Sequence, residues 1–550
     1  MKIQFSSFVF LLLLIHTACQ SQPLNRKKAF THQDTLRGSV TAERAWWDVQ
    51  RYDISVTPDY ASKSISGKTT IRYKVLMANH SDYIQIDLQK PLTVDEIYYN
   101  NKLYINYPAK PYYQEGNVLH IPLPKAPLNS IQTISIVYHG TPREAIRPPW
   151  DGGWIWTKDG HGKPWMSVAC QGLGASVWYP CKDYQGDEPD NGASLTMIVP
   201  DSLIAVGNGR MISKTVNHNK AIYTWEVKNP INNYDIIPYI GDYANWSDTL
   251  MGEKGKLDLN YWVLKEDLDK AKKQFEQVKL MLRAFEYWFG PYPFYEDGYK
   301  LVQAPHLGME HQSATAYGNK FMNGYLGHDL SGTGWGLKWD YIIVHESGHE
   351  WFGNNITSKD IADMWVHEGF TDYSESLFIE YYYGKEAADA YNAGLRKGIQ
   401  NEKPIIGPYG VNQEGSGDMY SKGSNIIHTI RQVINNDEKF RQILRGLNKD
   451  FYHQTVTTKQ VEDYISQKSG IDFSKVFDQY LRTTKIPVLE IKASANGTSY
   501  RWSNVIEGFN MPVRLNDGTW LKPTEEWQTV SKDMNSVEVD KNFYVFTKKV

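Results

Sequence analysis

Cysteine is scarce, three in 550 residues, and only Cys170 and Cys181 follow Cys19. Disulfides therefore cannot hold the chain together, and a large apolar core must do so. Charge of one sign is also missing: a formal net charge of -3 argues against nucleic acid or an acidic membrane surface as partner. The apolar run near the N-terminus, residues 8–15, is too short to span a bilayer. No helical repeat of the solenoid kind follows residue 485. What is present, 41% hydrophobic and 22% charged residues, is the composition of a globular protein, and the length calls for two to four domains. The 18 Trp and 37 Tyr suit large packed sheets and a lined cleft.

The N-terminus carries its own message. Met1-Lys2 precedes Phe-Val-Phe-Leu-Leu-Leu-Leu-Ile at 8–15, the length of a signal-peptide core. Thr17-Ala18-Cys19 follows, small residues before a cysteine, and looks like a bacterial lipoprotein cleavage site, although His16 stands where Leu is usual. The expectation is a signal peptide over 1–18 and an exported, membrane-anchored lipoprotein of the cell envelope, periplasmic or surface, with lipid on Cys19. Residues 19–44 are polar without an apolar period and read as a tether.

From Trp46 apolar and polar residues alternate, as in Tyr52-Asp-Ile54-Ser-Val56, which predicts an antiparallel β domain over 45–249. Leu268, Ala271, Phe275, Val278, Leu282 and Phe285 recur at spacings of three and four and predict one helix over 266–289, ended by Gly290-Pro291. That helix opens a mainly helical domain over 250–485, with others at 420–435, 438–447, 458–468 (Thr458 as N-cap) and 473–482. Alternation returns over 486–550 as a small C-terminal β module. The expected class is multidomain α+β.

The chemistry concentrates in Tyr341-Ile-Ile-Val-His345-Glu346-Ser-Gly-His349 and Glu368. Two histidines four apart on a helix project from one face and can grip one ion. Glu346, one position after the first, lies beside the metal, where a general base belongs. Catalytic zinc takes three protein ligands and keeps a position for water. Glu368 supplies the third if Gly353-Asn354-Asn355 ends the first helix and a second begins at Trp365 and runs to Tyr383, folding back over the His pair.

His345-Glu-x-x-His349, eighteen residues, then Glu368 resembles the signature of the M1 family of gluzincin metallopeptidases, the aminopeptidase N and leukotriene A4 hydrolase group. The resemblance covers residues 45–485 well and the last module loosely. It implies one zinc per chain, an N-terminal β saddle, a thermolysin-like catalytic domain and, without the solenoid of larger members, a cleft not closed by one. The segment around Cys170 and Cys181 resembles one whose cysteines are generally free, and their pairing stays open.

Further motifs bear on substrate choice. Gly308-Met309-Glu310 resembles the family's Gly-x-Met-Glu-Asn strand, with Leu307 in place of the first Gly and His311 in place of Asn. The resemblance implies that Gly308 and Met309 pair with the peptide backbone while Glu310 takes the substrate ammonium, assisted by Gln171. Tyr420 in Met419-Tyr420-Ser-Lys422-Gly423 resembles the Tyr-x-Lys-Gly motif and implies a donor to the oxyanion, fifty-two residues past Glu368. Together these imply an aminopeptidase acting on peptides with a free N-terminus, with no obligate protein partner. The alternatives are a zinc epoxide hydrolase of leukotriene A4 hydrolase type and a catalytically inactive peptide-binding relative. A thermolysin-like endopeptidase is disfavoured because Glu310 would oppose an uncharged, extended chain.

Overall fold

The structure is a computed structural model that describes residues 30–104, 111–494, 497–531 and 538–550. The expected signal peptide over 1–18, Cys19 and the tether up to residue 29 lie outside the described residues. No helix among the described residues is long and apolar enough to cross a membrane.

The N-terminal β region is built on an eight-stranded sheet whose long central hairpin, Trp47–Asp59 with Ser64–Val75, alternates buried and exposed residues. Antiparallel pairs dominate, and one parallel pairing joins Trp47–Asp59 to Ala193–Pro200. A four-stranded and a three-stranded sheet pack with it around Trp46, Trp47, Trp154, Trp178 and Tyr179. Cys170 and Cys181 are buried there as free thiols.

The seam with the helical region falls earlier than residue 249. Tyr243–Gly252 pairs with Gly255–Leu264 in a second, five-stranded sheet that also holds Tyr299–Gln303, Thr315–Tyr317 and, at its edge, Gly308–Met309. Alternation alone could not separate the two sheets, because both present period-two strands. The second sheet is buried on both faces: Leu259, Tyr261 and Leu301 join the helical core, and Trp262, Val302 and Met309 join the β core. The C-terminal module, a four-stranded sheet with a two-stranded addition, shares the helical core through Trp502, Phe543 and Tyr544. The whole is the expected α+β class.

Three local readings are corrected. Residues 32–38, placed in the tether, form the helix His32–Gly38, opened by a Thr31/Asp34 capping box. It docks through Arg37, which donates to the Gly172 carbonyl at 2.7 Å and pairs with Asp183 at 3.3 Å, and through the Asp34 carbonyl, which accepts from Asn412 N. The single helix over 266–289 is two, Leu268–Gln274 and Gln277–Phe289. Phe275 and Val278 stay buried across the break, so the apolar period does not register it. The helix Thr458–Ser469 is capped by Thr457, whose hydroxyl accepts from Gln460 N, while Thr458 donates to Asp363 instead.

Candidate metal centre and active site

The helix Tyr341–Gly348 starts at Asp340, whose carboxylate accepts from the Ile342 and Ile343 amides. Ile342, Ile343 and Val344 seat it in the helical core, which leaves His345 and Glu346 on the cleft side. His349 caps its end, and the chain then turns through Phe352 and Gly353, whose φ of 134° is a left-handed conformation that glycine tolerates. The helix Trp365–Tyr383 returns over this turn and brings in Glu368.

The three side chains converge. Glu368 Oε2 lies 3.3 Å from His349 Nε2 and 3.7 Å from His345 Nε2, and the donor atoms of all three fall within 4.8 Å of one another. The two imidazole rings stand 5.1 Å apart and nearly perpendicular. Glu368 Oε2 is buried and has no hydrogen-bond partner, a cost that a cation at this point removes. The far nitrogens are tied: His345 Nδ1 pairs with Glu375 Oε1 at 2.6 Å, and His349 Nδ1 donates to the Phe352 carbonyl at 3.0 Å. This fixes both rings with Nε2 toward the centre. Two imidazoles and one carboxylate are a zinc donor set with a position left for water. Burial works against its charge, yet His349 and His345 hold the Glu368 carboxyl well below the ordinary carboxylate range.

Glu346 stands beside this centre. Burial, and then the nearby Glu310 and Glu368 carboxylates, push it up to about 7, while His345 and His349 pull the other way. A dication in the site adds a further downward pull. Gly308 makes room for it: a Cβ there would sit 2.7 Å from Glu346 Oε1. Tyr420, at the mouth of the helix Ser421–Ile434, lies nearly parallel to the His345 ring with centroids 6.1 Å apart. Burial and the charges of Glu368, Glu414 and Glu310 raise its phenol, so the hydroxyl keeps its proton and can donate.

Glu310 is 2% exposed, and one of its carboxylate oxygens lies within 4.8 Å of donor atoms of Glu346 and His349. Gln171, from the β region, donates through Nε2 to Glu310 Oε1 at 2.5 Å, which leaves its carbonyl oxygen as an acceptor. Met309 packs against the β core, and Gly308–Met309 is the edge strand of its sheet, with one side open for pairing. One cleft is lined by Gln171, Gly308, Met309, Glu310, His345, Glu346, His349, Glu368 and Tyr420. The structure therefore brings together all nine candidate site residues. His311 is turned away, bonded to the Tyr239 hydroxyl.

Two neighbours were not read from the sequence. Glu375, which also accepts from Tyr391, lies seven positions after Glu368, two turns along the same helix face, and that spacing was a usable signal. Tyr234, which donates to Glu310 Oε1 at 2.8 Å, sits in a short turn with no pattern to mark it.

The Peptidase family M1 domain matches residues 273–480, and the Peptidase M1 N-terminal domain matches residues 49–234. The chain belongs to peptidase family M1. Its cofactor is zinc, and it is a hydrolase of the metallopeptidase class. It is 22% identical to leukotriene A-4 hydrolase of Xenopus laevis over 76% of this chain and 68% of that protein. It is 20% identical to aminopeptidase M1 of Arabidopsis thaliana over 91% of this chain but 56% of that protein, so it spans little more than half of this relative. Among solved structures, an M1 zinc metallopeptidase from Deinococcus radiodurans superposes with a TM-score of 0.67 at 20% identity, covering 80% of this chain and 96% of that one. A mutant of the same enzyme bound to a Tyr-Ser-Ala substrate matches with a TM-score of 0.65, at 20% identity over 81% and 96%. At such identity these structural matches speak for the fold alone.

Proposed function

We propose that this M1 protein is a zinc-dependent aminopeptidase that removes N-terminal residues from peptides. The observation that carries the reading is the buried Glu310 carboxylate, held beside Glu346 and His349. It lies in the cleft beside the base, where it can pair with a free ammonium as the first peptide bond reaches Glu346.

His345, His349 and Glu368 would hold the ion, which when bound supplies Lewis acidity that acidifies water and polarises a carbonyl. Glu346 takes the proton of the attacking water on its carboxylate and passes it to the leaving amine nitrogen. Tyr420 donates its hydroxyl hydrogen bond to the oxygen that gains charge. The open edge of Gly308–Met309 pairs with the substrate backbone, while Glu310 and the Gln171 carbonyl oxygen hold the ammonium and set the cut after one residue. The test is hydrolysis of a dipeptide series by residues 20–550, each free N-terminus against its acetylated twin, with and without chelator. Cleavage of free amines alone, abolished by chelation, is the expected result; equal cleavage of acetylated peptides would refute the role of Glu310.

The N-terminal pattern supports a cellular address: export through the signal at 1–18 and anchoring to the envelope by lipid on Cys19. Metabolic labelling with radioactive palmitate checks this, and a Cys19→Ala protein that still takes up label would refute it.

A further inference from the structure

We propose that Tyr234 is a positioning residue for amine recognition, fixing the Glu310 carboxylate so that Oε2 faces the substrate ammonium. The inference deepens the aminopeptidase reading and rests on it. Tyr234 lies in the turn Asn233–Asp235 of the β region, 6% exposed, and its hydroxyl donates to Glu310 Oε1 at 2.8 Å. Gln171 Nε2 donates to the same oxygen at 2.5 Å. Among the described residues no side chain donates to Oε2. A carboxylate has about four lone-pair sites, and two neutral donors on one oxygen fix its plane and leave the other oxygen for a third partner.

That third partner is cationic by chemistry. The carboxylates of Glu310, Glu346 and Glu368 crowd the cleft, and Gln171, which also lines it, keeps a carbonyl oxygen able to accept. An alkylammonium, with three N–H donors, satisfies Glu310 Oε2 and Gln171 Oε1 together. Tyr234 is suited to the task because it stays protonated: burial, then the charges of Glu310 and Asp235, raise its phenol well above the ordinary value. Both supporting donors come from the β region, whereas Glu310 directly follows Gly308–Met309, the edge strand of the second sheet, so the ammonium pocket is assembled across the seam between them.

The experiment uses a matched pair of zinc-binding inhibitors, leucine hydroxamate and its analogue without the α-amino group, on wild-type holoenzyme, Tyr234→Phe, Glu310→Gln and the double variant. Tyr234→Phe is expected to weaken the amine-bearing inhibitor about tenfold, as befits loss of one hydrogen bond to a charged group, and to leave the other unchanged. KM for a free dipeptide should rise about as much with kcat within about twofold, and in the Glu310→Gln background the Tyr234 change should add nothing. Equal weakening of both inhibitors would reduce Tyr234 to a structural residue, and no change in either would deny it any role; both outcomes overturn the proposal. If Glu310→Gln itself leaves the preference for the amine intact, the aminopeptidase reading fails first, and this inference falls with it.

Discussion

Gly308→Ala offers a test of how tightly the base is placed. The backbone at this position is not left-handed, so alanine is conformationally allowed and the strand should form. The added Cβ would lie 2.7 Å from Glu346 Oε1 and 2.9 Å from Ile342 Cγ2, where ordinary contact begins at 3.4 Å. The Glu346 carboxylate must therefore retreat by about 0.7 Å, and misplacement on the order of 1 Å costs up to about a hundredfold in rate. We expect kcat to fall about 30-fold. The zinc ligands are not touched by the new methyl group, so metal content should stay at one ion per chain, and the overpacking should cost at most about 1–3 kcal/mol of stability. The assays are steady-state hydrolysis of a free dipeptide, elemental analysis for zinc and urea unfolding. Full kcat with normal zinc would refute the claim that Gly308 is a glycine for the sake of Glu346.

Tyr420→Phe should lower kcat/KM about 100- to 1000-fold with zinc retained, and a loss below about tenfold would remove it as the oxyanion donor. Glu375→Ala frees His345 Nδ1 from its 2.6 Å partner; zinc affinity by chelator competition should drop about 10- to 100-fold, and unchanged affinity would refute the orienting role. His428 is held down to about 3 by burial and then by the charge of Arg431, so below its ordinary 6.5 the unfolded chain binds a proton that the folded chain does not. Stability is therefore lost as pH falls from about 6.5, and His428→Gln should gain on the wild type by about 1.4 kcal/mol per pH unit down to about pH 4.5 in urea unfolding; parallel curves would refute this.

What could be read from the sequence was what short-range geometry determines. The pair His345 and His349 and the neighbouring Glu346 are fixed by helical spacing, and the α+β class follows from the switch between period two and period 3.6. Glu368 needed one further step, a chain reversal at Gly353, whose φ of 134° shows why glycine stands there. Beyond that, legibility falls with sequence separation. Tyr234 meets Glu310 across 76 residues, and Arg37 meets Gly172 across 135. A buried tyrosine in a turn looks the same whether its hydroxyl reaches a carboxylate or a carbonyl. The helix His32–Gly38 shows the same limit: its capping box is visible at Thr31 and Asp34, but a seven-residue helix is marginal alone, and its docking on Gly172, Asp183 and Asn412 is what holds it.

The spacing between Glu368, the proposed third metal ligand, and Tyr420, the proposed oxyanion donor, also has a backbone cause. Glu368 and Tyr420 sit on different helices, Trp365–Tyr383 and the start of Ser421–Ile434, which touch at Gly369 and Gly423. A Cβ on Gly423 would lie 2.9 Å from Gly369 Cα, and one on Gly369 would lie 3.2 Å from Gly423 Cα. The obstructing atoms are backbone, so no side chain can swing aside, and a larger residue at either position must push the helices apart. Each glycine weakens its helix by about 1 kcal/mol relative to alanine. In return, Gly369 directly follows the ligand and Gly423 lies one turn after the donor, so the contact sets the distance between them. Two residues fifty-two apart in sequence are thereby held by a backbone contact, which suits a hydrogen-bond donor that is to meet charge only as that charge develops.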